Sequence, residues 1–592
     1  MRALASTISL VLVGTAAAQS LSWQLPEQGG ARYARELKIE QKVEPKGVHV
    51  HQPWDGHRNP GLVLAGELDE RRQRIAEPLV DPRDLLAWPC LDLSVDRQKT
   101  VDWQVPGRNR FVDAWLEVSF GKMEEGGRQI VEGELRPGDG KRRRGRRGRA
   151  AARSAPNPDT PVLTGAIRGE RVVDAELGRV VSFSGTIELV LEQKEGGNRK
   201  AGRRTVTIQD SWTLQDVLDA SEAEFRVSVG RAIREATESL REKLKKRIEE
   251  DPPVAQDPFH DHNPGELALV LLAFIKGLED PNDELVQQGY AALRKRKIFG
   301  TYELAVAILA IEALYTPPGE WRGLREGTLD APIQRKLSAE DQALVTRWTG
   351  QLLENVDTNV DPAYLRRWHY GPSNSWDNSN QQYALLGLYA AQLCGVEVSP
   401  QVWFAAAKHW QRVLIKDGES ERPQFMTHRQ LEQAAERGGR GTVTRMRSTQ
   451  PVGWSYKTGG KPTGSMTTAG VTGLTLCAVA MRQQKRGTRK QLFEIDQAVR
   501  GGLLWLSQNL TVRRNPGTPD RWYSWRYYYL YGLERTCELN GIAQLGSRDW
   551  YFEGAMYLMG QQRDNGSWGD DRDTAFGLLF LKKATLPAIT PR

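Results

Sequence analysis

Two aspartates stand at the start of apolar helical stretches, where a carboxyl group could donate or accept a proton. Asp377 precedes the stretch 379–394, and Asp573 lies at the start of the stretch 572–582. Two carboxyl groups held a short distance apart can act as a general acid and a general base. An aspartate at a helix start also caps exposed N–H groups, and for Asp573 we favour capping over catalysis. The sequence leaves the separation of the two residues open.

Aromatic and polar side chains gather at the same helix starts. They are Trp376, Asn380, Trp454, Tyr456, Trp522, Tyr523, Trp525 and Tyr528. If these helices begin at one end of a bundle, their side chains line its mouth together with helix N-termini. Such a mouth suits a flat apolar ligand such as a polyprenoid, or a sugar or peptidoglycan strand stacked on the rings. The alternative is that the rings fill the core. We expect Trp454, Trp525 and Asp377 to converge on one face.

The histidines and cysteines predict neither a metal site nor a cofactor. His49, His51 and His57 lie close together, as do His260 and His262. Alternate residues of an extended segment face one way, but no set of carboxylates accompanies either group, so we interpret them as loop residues. The cysteines are far apart and show no C-x-x-C spacing, which indicates buried thiols and leaves their disulfide status open. They are Cys90, Cys394, Cys477 and Cys537.

The helices that must position these residues recur in pairs through residues 260–585. In each pair an apolar helix rich in Ala, Gly and Leu is followed by a more amphipathic one. An apolar helix is covered on several sides, whereas an amphipathic helix belongs to an outer layer. The pattern predicts an all-α toroid of about six helical hairpins. The predicted pairs are 265–279 with 283–296, 301–315 with 339–355, 379–394 with 399–415, 466–483 with 491–509 and 523–540 with 548–562, and the helix 572–582 follows them.

A different pattern precedes the helices. The segments 111–120, 180–191 and 204–209 alternate polar with apolar residues and are rich in β-branched side chains, which is typical of strands. We therefore predict a β-rich antiparallel domain over residues 19–220. Residues 221–252 form a charged amphipathic pattern that predicts a helix connecting this domain to the toroid. The fold class is accordingly multidomain.

Charge and the first residues restrict the partners and the location. Residues 1–18 combine Arg2, an apolar run and three closing alanines, the pattern of a signal peptide, and predict export to the periplasm or beyond with cleavage after Ala18. The formal net charge is +8, but Arg2 and the basic run 141–149 account for it, so the folded domains are balanced. Exported proteins rarely meet nucleic acid, so we expect no nucleic-acid partner. We expect a disordered loop at 137–160, with docking on an anionic surface as the alternative. The basic residues for such docking are Arg142, Arg143, Arg144, Arg146 and Arg147. No later apolar stretch is long enough to predict a transmembrane helix.

One segment carries a specific family resemblance. Residues 554–568 read Gly-Ala-Met-Tyr-Leu-Met-Gly-Gln-Gln-Arg-Asp-Asn-Gly-Ser-Trp and match the QW motif, G-x-x-aromatic-aliphatic-x-x-x-Q-x-x-x-G-x-W. Over about 260–585 the chain resembles the terpenoid cyclase and protein prenyltransferase superfamily, and it looks like exported bacterial squalene-cyclase-like proteins with prenyltransferase and squalene oxidase repeats. Glu553 departs from the basic residue that is usual there. The motif residues Gln562, Gly566 and Trp568 are interpreted as structural, because they tie a turn to a helix end and cover a seam.

The same resemblance weakens the case for catalysis. The cyclases protonate an alkene with a D-x-D-D-T-A motif, and in the nearest match, residues 570–575, Arg572 occupies the position of the proton donor. A guanidinium cannot act as that acid. We therefore predict a catalytically diverged scaffold that binds a hydrophobic or polymeric ligand of the cell envelope. Two alternatives remain, a terpenoid cyclase-like isomerase acting on a polyprenoid through Asp377 or Asp573, and a carbohydrate-active toroid. The ligand, the oligomeric state and the role of the β-rich domain stay open.

Overall fold

A computed structural model describes most of the chain. The described residues are 29–46, 61–68, 86, 90, 91, 93, 98–106, 111–137, 162–174, 179–193, 195, 200–219, 223–249, 262–278, 280–357, 359–371, 376–423, 425–436, 448–518 and 525–586. The predicted signal peptide and the basic run 141–149 lie outside this part, as do Trp522 and Tyr523. All four cysteines are described, and each is buried with a free thiol.

The first half of the described chain forms one antiparallel sheet of eight strands, which confirms the β-rich domain. Strands β3 to β8 follow one another across the sheet as neighbours, β1 pairs with β8, and β2 pairs with β1. One face packs on a core in which Phe183 and Trp212 stack with their ring centroids 5.0 Å apart, and Leu86 and Leu91 belong to the same core. The strands are β1 Gly29–Glu44, β2 Leu62–Leu64, β3 Gln98–Pro106, β4 Phe111–Phe120, β5 Arg128–Pro137, β6 Val162–Asp174, β7 Arg179–Gln193 and β8 Gly202–Asp219.

Fourteen α-helices make up the second half of the described chain. They are α1 Ala223–Glu249, α2 Asn263–Leu278, α3 Glu284–Lys295, α4 Thr301–Leu314, α5 Glu320–Glu326, α6 Ala339–Glu354, α7 Asn378–Leu393, α8 Pro400–Arg412, α9 His428–Glu436, α10 Gly464–Gln483, α11 Arg489–Gln508, α12 Arg526–Leu539, α13 Trp550–Gln561 and α14 Asp571–Lys582. Short strands connect some of them. These are β9 Ile415–Lys416, β10 Phe425–Thr427, β11 Val452–Gly453 and β12 Ile542–Leu545.

Six of these helices close into a ring, as the paired apolar pattern predicts. Helices α2, α4, α7, α10, α12 and α14 each pack against the next, and α14 packs against α2. Helices α1, α3, α6, α8, α11 and α13 pack around the outside of this ring. The inner helices are buried nearly all round, and the outer helices bury one stripe. This difference follows from their sequences, since the inner helices are apolar on all sides and the outer helices on one side. The second half is therefore an α/α toroid of six inner and six outer helices.

Helix α1 belongs to the outer layer of this toroid. It packs against α2, α3 and α14, and its apolar residues Val229, Ala236, Leu240 and Leu244 are part of the toroid core. The sequence predicts a connecting helix at this position, and the structure adds that α1 covers α14, the one inner helix without a following outer partner in the described chain. The ring is therefore completed by joining its first and last long helices.

The most apolar of the long helices is an inner helix. Gly464–Gln483 is the one described helix long and apolar enough to cross a membrane, and every residue of its most apolar window is buried. Its glycines admit large rings from neighbouring segments, because a Cβ on Gly470 would meet the indole of Trp454 at 2.4 Å. Burial on all sides inside the toroid accounts for its composition.

Candidate functional site

A cavity of about 390 Å³ opens at the N-terminal ends of the inner helices. All six inner helices or the residues just before them contribute to its wall, which is the arrangement expected when helices begin at one mouth of a ring. The lining residues are His262, Glu266, Tyr302, Tyr370, Ser379, Asn380, Tyr383, Tyr456, Thr463, Ser465, Met466, Asn515, Thr518, Trp525, Tyr528, Arg572 and Phe576.

Aromatic rings in mutual contact form the floor of this cavity. Tyr383 lies edge-on to Tyr302, with the ring centroids 4.7 Å apart, and it stacks on Tyr528 at 6.2 Å. Tyr528 in turn meets Phe576 edge-on at 5.8 Å. The guanidinium of buried Arg535 lies 5.4 Å from the centroid of the Tyr383 ring and holds it by a cation–π contact. The rings are therefore fixed before any ligand arrives.

The rim of the cavity holds two exposed aromatic side chains. Trp525 is 59 % exposed and Tyr456 is 44 % exposed. Trp525 also has φ +79°, a left-handed conformation that costs a residue with a side chain about 1–2 kcal/mol. Such strain persists only where the surroundings impose it, and it is common at ligand sites. The edge of its indole lies against Tyr528, with centroids 6.0 Å apart.

The structure brings four of the predicted ligand-binding residues into this cavity. They are Asn380, Tyr456, Trp525 and Tyr528. Trp454 is buried instead, and its Nε1 donates to the main-chain oxygen of Trp410 at 2.9 Å. Trp376 packs edge-on against His409, with centroids 4.8 Å apart. These two indoles fill seams between helices, which is the alternative that the sequence left open.

Asp377 is the N-cap of α7 and does not line the cavity. Its Oδ1 accepts hydrogen bonds from the backbone N–H groups of Ser379 at 3.0 Å and Asn380 at 2.9 Å. Its Oδ2 accepts from the side-chain amide of Asn380 at 2.8 Å. The carboxylate is thus saturated with donors, and it positions a cavity residue without facing the cavity itself. Of Trp454, Trp525 and Asp377, only Trp525 lines the cavity.

Asp573 lies in the first turn of α14 and is also absent from the cavity wall. The N-cap of this helix is Asp570, whose Oδ1 accepts from the backbone N–H of Asp573 at 2.9 Å. Burial raises the pKa of Asp573 to about 6. Arg572 does reach the cavity, and its Nη2 donates to Asp570 Oδ2 at 2.9 Å. The candidate pair of acid and base is therefore not assembled on the ligand side.

The QW motif closes the ring. The side-chain amide of Gln562 donates to the main-chain oxygens of Ala232 at 2.9 Å and Gly566 at 3.0 Å. Gly566 has φ +77°, and a Cβ there would lie 2.2 Å from the main-chain oxygen of Glu235, so only glycine allows the motif to approach α1. Trp568 Nε1 donates to Leu558 O at 2.7 Å. These contacts support the structural interpretation of the motif.

Sequence reasoning did not identify the contact between His262 and Glu303. His262 Nδ1 lies 2.5 Å from Glu303 Oε1, and the two side chains are 48 % and 1 % exposed, respectively. The hydrogen bond to Glu303 raises the pKa of the His262 imidazole above its ordinary value. His262 lies just before α2 and Glu303 lies on α4, so no local spacing links them. The available signal was a glutamate in the first turn of an apolar helix, where a buried carboxylate needs a partner.

A second missed feature is a buried carboxyl group on α12. Glu534 is wholly buried and accepts hydrogen bonds from the backbone N–H and the hydroxyl of Thr585 at 2.9 and 2.8 Å. Burial raises the pKa of Glu534 to about 8. Glu534 lies on the inner helix α12. Its burial, and with it the effect of its charge on the stability of the fold, comes from the helices packed around α12.

No group of three or more His, Cys, Asp or Glu side chains within the described ranges is arranged to hold a metal ion. A scan against protein-family models finds no match, and a search of curated proteins finds no significant similarity.

Proposed function

We propose that the toroid is a binding scaffold for a short stretch of a glycan, held in the aromatic cavity at the mouth of the ring. The supporting observation is the composition of the wall. Seven aromatic side chains are interleaved with the hydroxyl and amide groups of residues such as Ser379, Asn380, Ser465 and Asn515. Aromatic planes stack on the apolar faces of sugar rings, and the polar groups satisfy ring hydroxyls.

The size of the cavity limits how much of a ligand it can enclose. A cavity of about 150 Å³ holds one benzene ring, so a cavity of about 390 Å³ holds on the order of fifteen carbon atoms on that scale. A triterpene precursor is about twice as long and would leave half of its chain outside. A single hexose residue, with about twelve non-hydrogen atoms, fits on the same scale, and the open mouth allows the next sugars of the chain to continue into solvent.

The cyclase-like alternative has less support. A cyclase requires an acid that faces an apolar cavity. Asp377 is instead bound by backbone and side-chain amides, and Asp573 is not part of the cavity wall. The resemblance to squalene cyclases and the export implied by residues 1–18 remain predictions. If the export holds, the glycan is one that the protein meets in the cell envelope or outside the cell.

Ligand titration tests the proposal. Tryptophan fluorescence and calorimetry would be followed on addition of cellobiose, of N,N′-diacetylchitobiose and of farnesol as the apolar probe. We expect the disaccharides to bind wild type, and Trp525→Ala to weaken that binding. Trp321→Ala is the matched control, because Trp321 lies on α5 and outside the cavity wall. Binding of farnesol without binding of either disaccharide would favour the polyprenoid alternative.

A further inference from the structure

The pair His262 and Glu303 has a geometry that binding alone does not require. Glu303 is buried at 1 % exposure, and among the described residues its Oε2 has no hydrogen-bond partner. Burying a carboxylate is costly unless it is paired. Its partner here is a half-exposed imidazole on the cavity wall instead of an arginine. A buried carboxylate behind an accessible imidazole is the arrangement that fixes a histidine for proton transfer.

Several contacts hold the pair in place. Helices α2 and α4 approach closely at Gly265, where a Cβ would lie 3.0 Å from Glu303 Cγ. The ring of Tyr370 lies edge-on to His262, with centroids 6.0 Å apart. The Tyr370 main-chain oxygen accepts from Thr301 N, at the start of the helix that carries Glu303. Because Nδ1 is engaged by Glu303, Nε2 is the nitrogen available to a ligand.

We propose that His262 is the general base of an esterase site in this cavity, that Glu303 positions it, and that the substrate class is an O-acylated sugar. This inference rests on the proposed function, because the cavity must first bind the sugar. The charged groups around the imidazole are Glu303 on α4, Glu266 on α2 just after His262, and Arg572 on α14.

The reaction needs water as its only co-reactant. Neutral His262 Nε2 takes a proton from water as the water oxygen bonds to the acyl carbon, and the electron pair of the carbonyl moves onto its oxygen. When that pair returns, the bond from the acyl carbon to the sugar oxygen breaks, and the imidazolium gives its proton to the departing oxygen. The products are a carboxylic acid and the free sugar hydroxyl. Glu303 stabilises the imidazolium between the two transfers.

Arg572 is placed to help the same reaction. A guanidinium has five N–H donors, and Nε and Nη2 of Arg572 donate to Asp570 at 3.3 and 2.9 Å. The side chain lines the cavity with His262, where its positive charge favours the oxygen that becomes negative in the tetrahedral intermediate.

Glycoside cleavage fits the site less well. It requires two carboxyl groups flanking the bond. The wall carries Glu266, which is tied to Arg247 Nη2 at 2.7 Å, and neither Asp377 nor Asp573 belongs to that wall. Ester hydrolysis needs one oriented base, which is what His262 and Glu303 supply.

Acetate release from O-acetylated cellobiose, with 4-nitrophenyl acetate as a second probe, tests the inference on the full chain. We expect the wild-type rate to rise with pH as His262 loses its proton. His262→Gln should lower kcat at least about 100-fold, the usual contribution of a general base, with a smaller change in KM. Glu303→Gln should lower kcat and move the rise to lower pH, because the imidazolium loses its negative neighbour. His428→Gln is the control, since His428 contacts Arg325 away from the cavity.

The outcomes separate the two proposals. If wild type binds cellobiose but releases no more acetate than His262→Gln, the esterase inference is overturned and the binding function stands. If Glu266→Gln abolishes turnover while His262→Gln does not, the base is misassigned. If cellobiose does not bind at all, the proposed function itself fails. Thermal unfolding of each variant shows whether a lost rate reflects lost folding.

Discussion

The side-chain amide of Gln562 donates a hydrogen bond to the main-chain oxygen of Ala232, a residue 330 positions earlier in the chain. This one contact joins the turn after α13 to α1 and so links the two ends of the helical ring. The same amide bonds Gly566 O within its own turn. A motif that is local in sequence therefore acts at the longest-range junction of the toroid.

Replacing Gln562 by alanine should destabilise the toroid by about 1–3 kcal/mol, because the Ala232 carbonyl loses its donor in a partly buried seam. The measurement is the free energy of unfolding in urea, followed by tryptophan fluorescence. Gln288→Ala is the control. Its amide donates to exposed Glu284 on the surface of α3, where substitutions change stability by less than about 0.5 kcal/mol. Equal effects of the two variants would contradict the closing role of Gln562.

Trp525→Gly should separate stability from binding. Glycine adopts φ +79° without strain, so the loss of the half-exposed indole should leave the unfolding free energy nearly unchanged. The affinity for a disaccharide should fall about tenfold, the equivalent of roughly 1.4 kcal/mol of lost stacking. Calorimetric titration and urea unfolding of the same preparation give both values. A large loss of stability with unchanged affinity would show that the indole supports the fold instead.

Asp377 is expected to act as a cap and as a support for Asn380. Asp377→Asn should alter stability little, since asparagine caps as well as aspartate, whereas Asp377→Ala should cost about 0.5–2 kcal/mol. Thermal unfolding of both variants tests this order. A folded Asp377→Asn protein that lost turnover of a polyprenoid would support the cyclase-like alternative.

Glu534 should make the stability depend on pH. Its pKa of about 8 in the folded protein exceeds the ordinary value of about 4.3, so the native state holds a proton that the unfolded state releases. The free energy of unfolding should therefore fall with rising pH by up to about 1.4 kcal/mol per unit between about pH 5 and 8. Glu534→Gln should flatten that dependence. Glu238→Gln, at an exposed position of α1, should not.

Residue patterning was sufficient to predict the hairpins of the toroid, because an apolar helix and its amphipathic partner differ visibly over one local stretch. It did not predict that α1 covers α14, since that contact joins segments far apart in the chain. The site was predicted in part for the same reason. Their positions at helix starts correctly predicted that Asn380 and Tyr528 lie at the mouth. No local sequence feature distinguishes these residues from Trp454, which fills the space between two helices. The pairing of His262 with Glu303 depends on how two helices meet.

The junction of α1 with α14 also sets an order of assembly. A ribosome releases α1 long before α14, so the apolar stripe of α1 must wait for most of the toroid to be synthesised before its permanent cover arrives. Until then the stripe is an exposed apolar surface that chaperones, proteases and other unfinished chains can bind. Contacts of such long range slow folding. Truncation before α14 would therefore leave the apolar stripe of α1 without its cover. The shortened chain would stay open to aggregation and proteolysis and would not form a smaller stable ring.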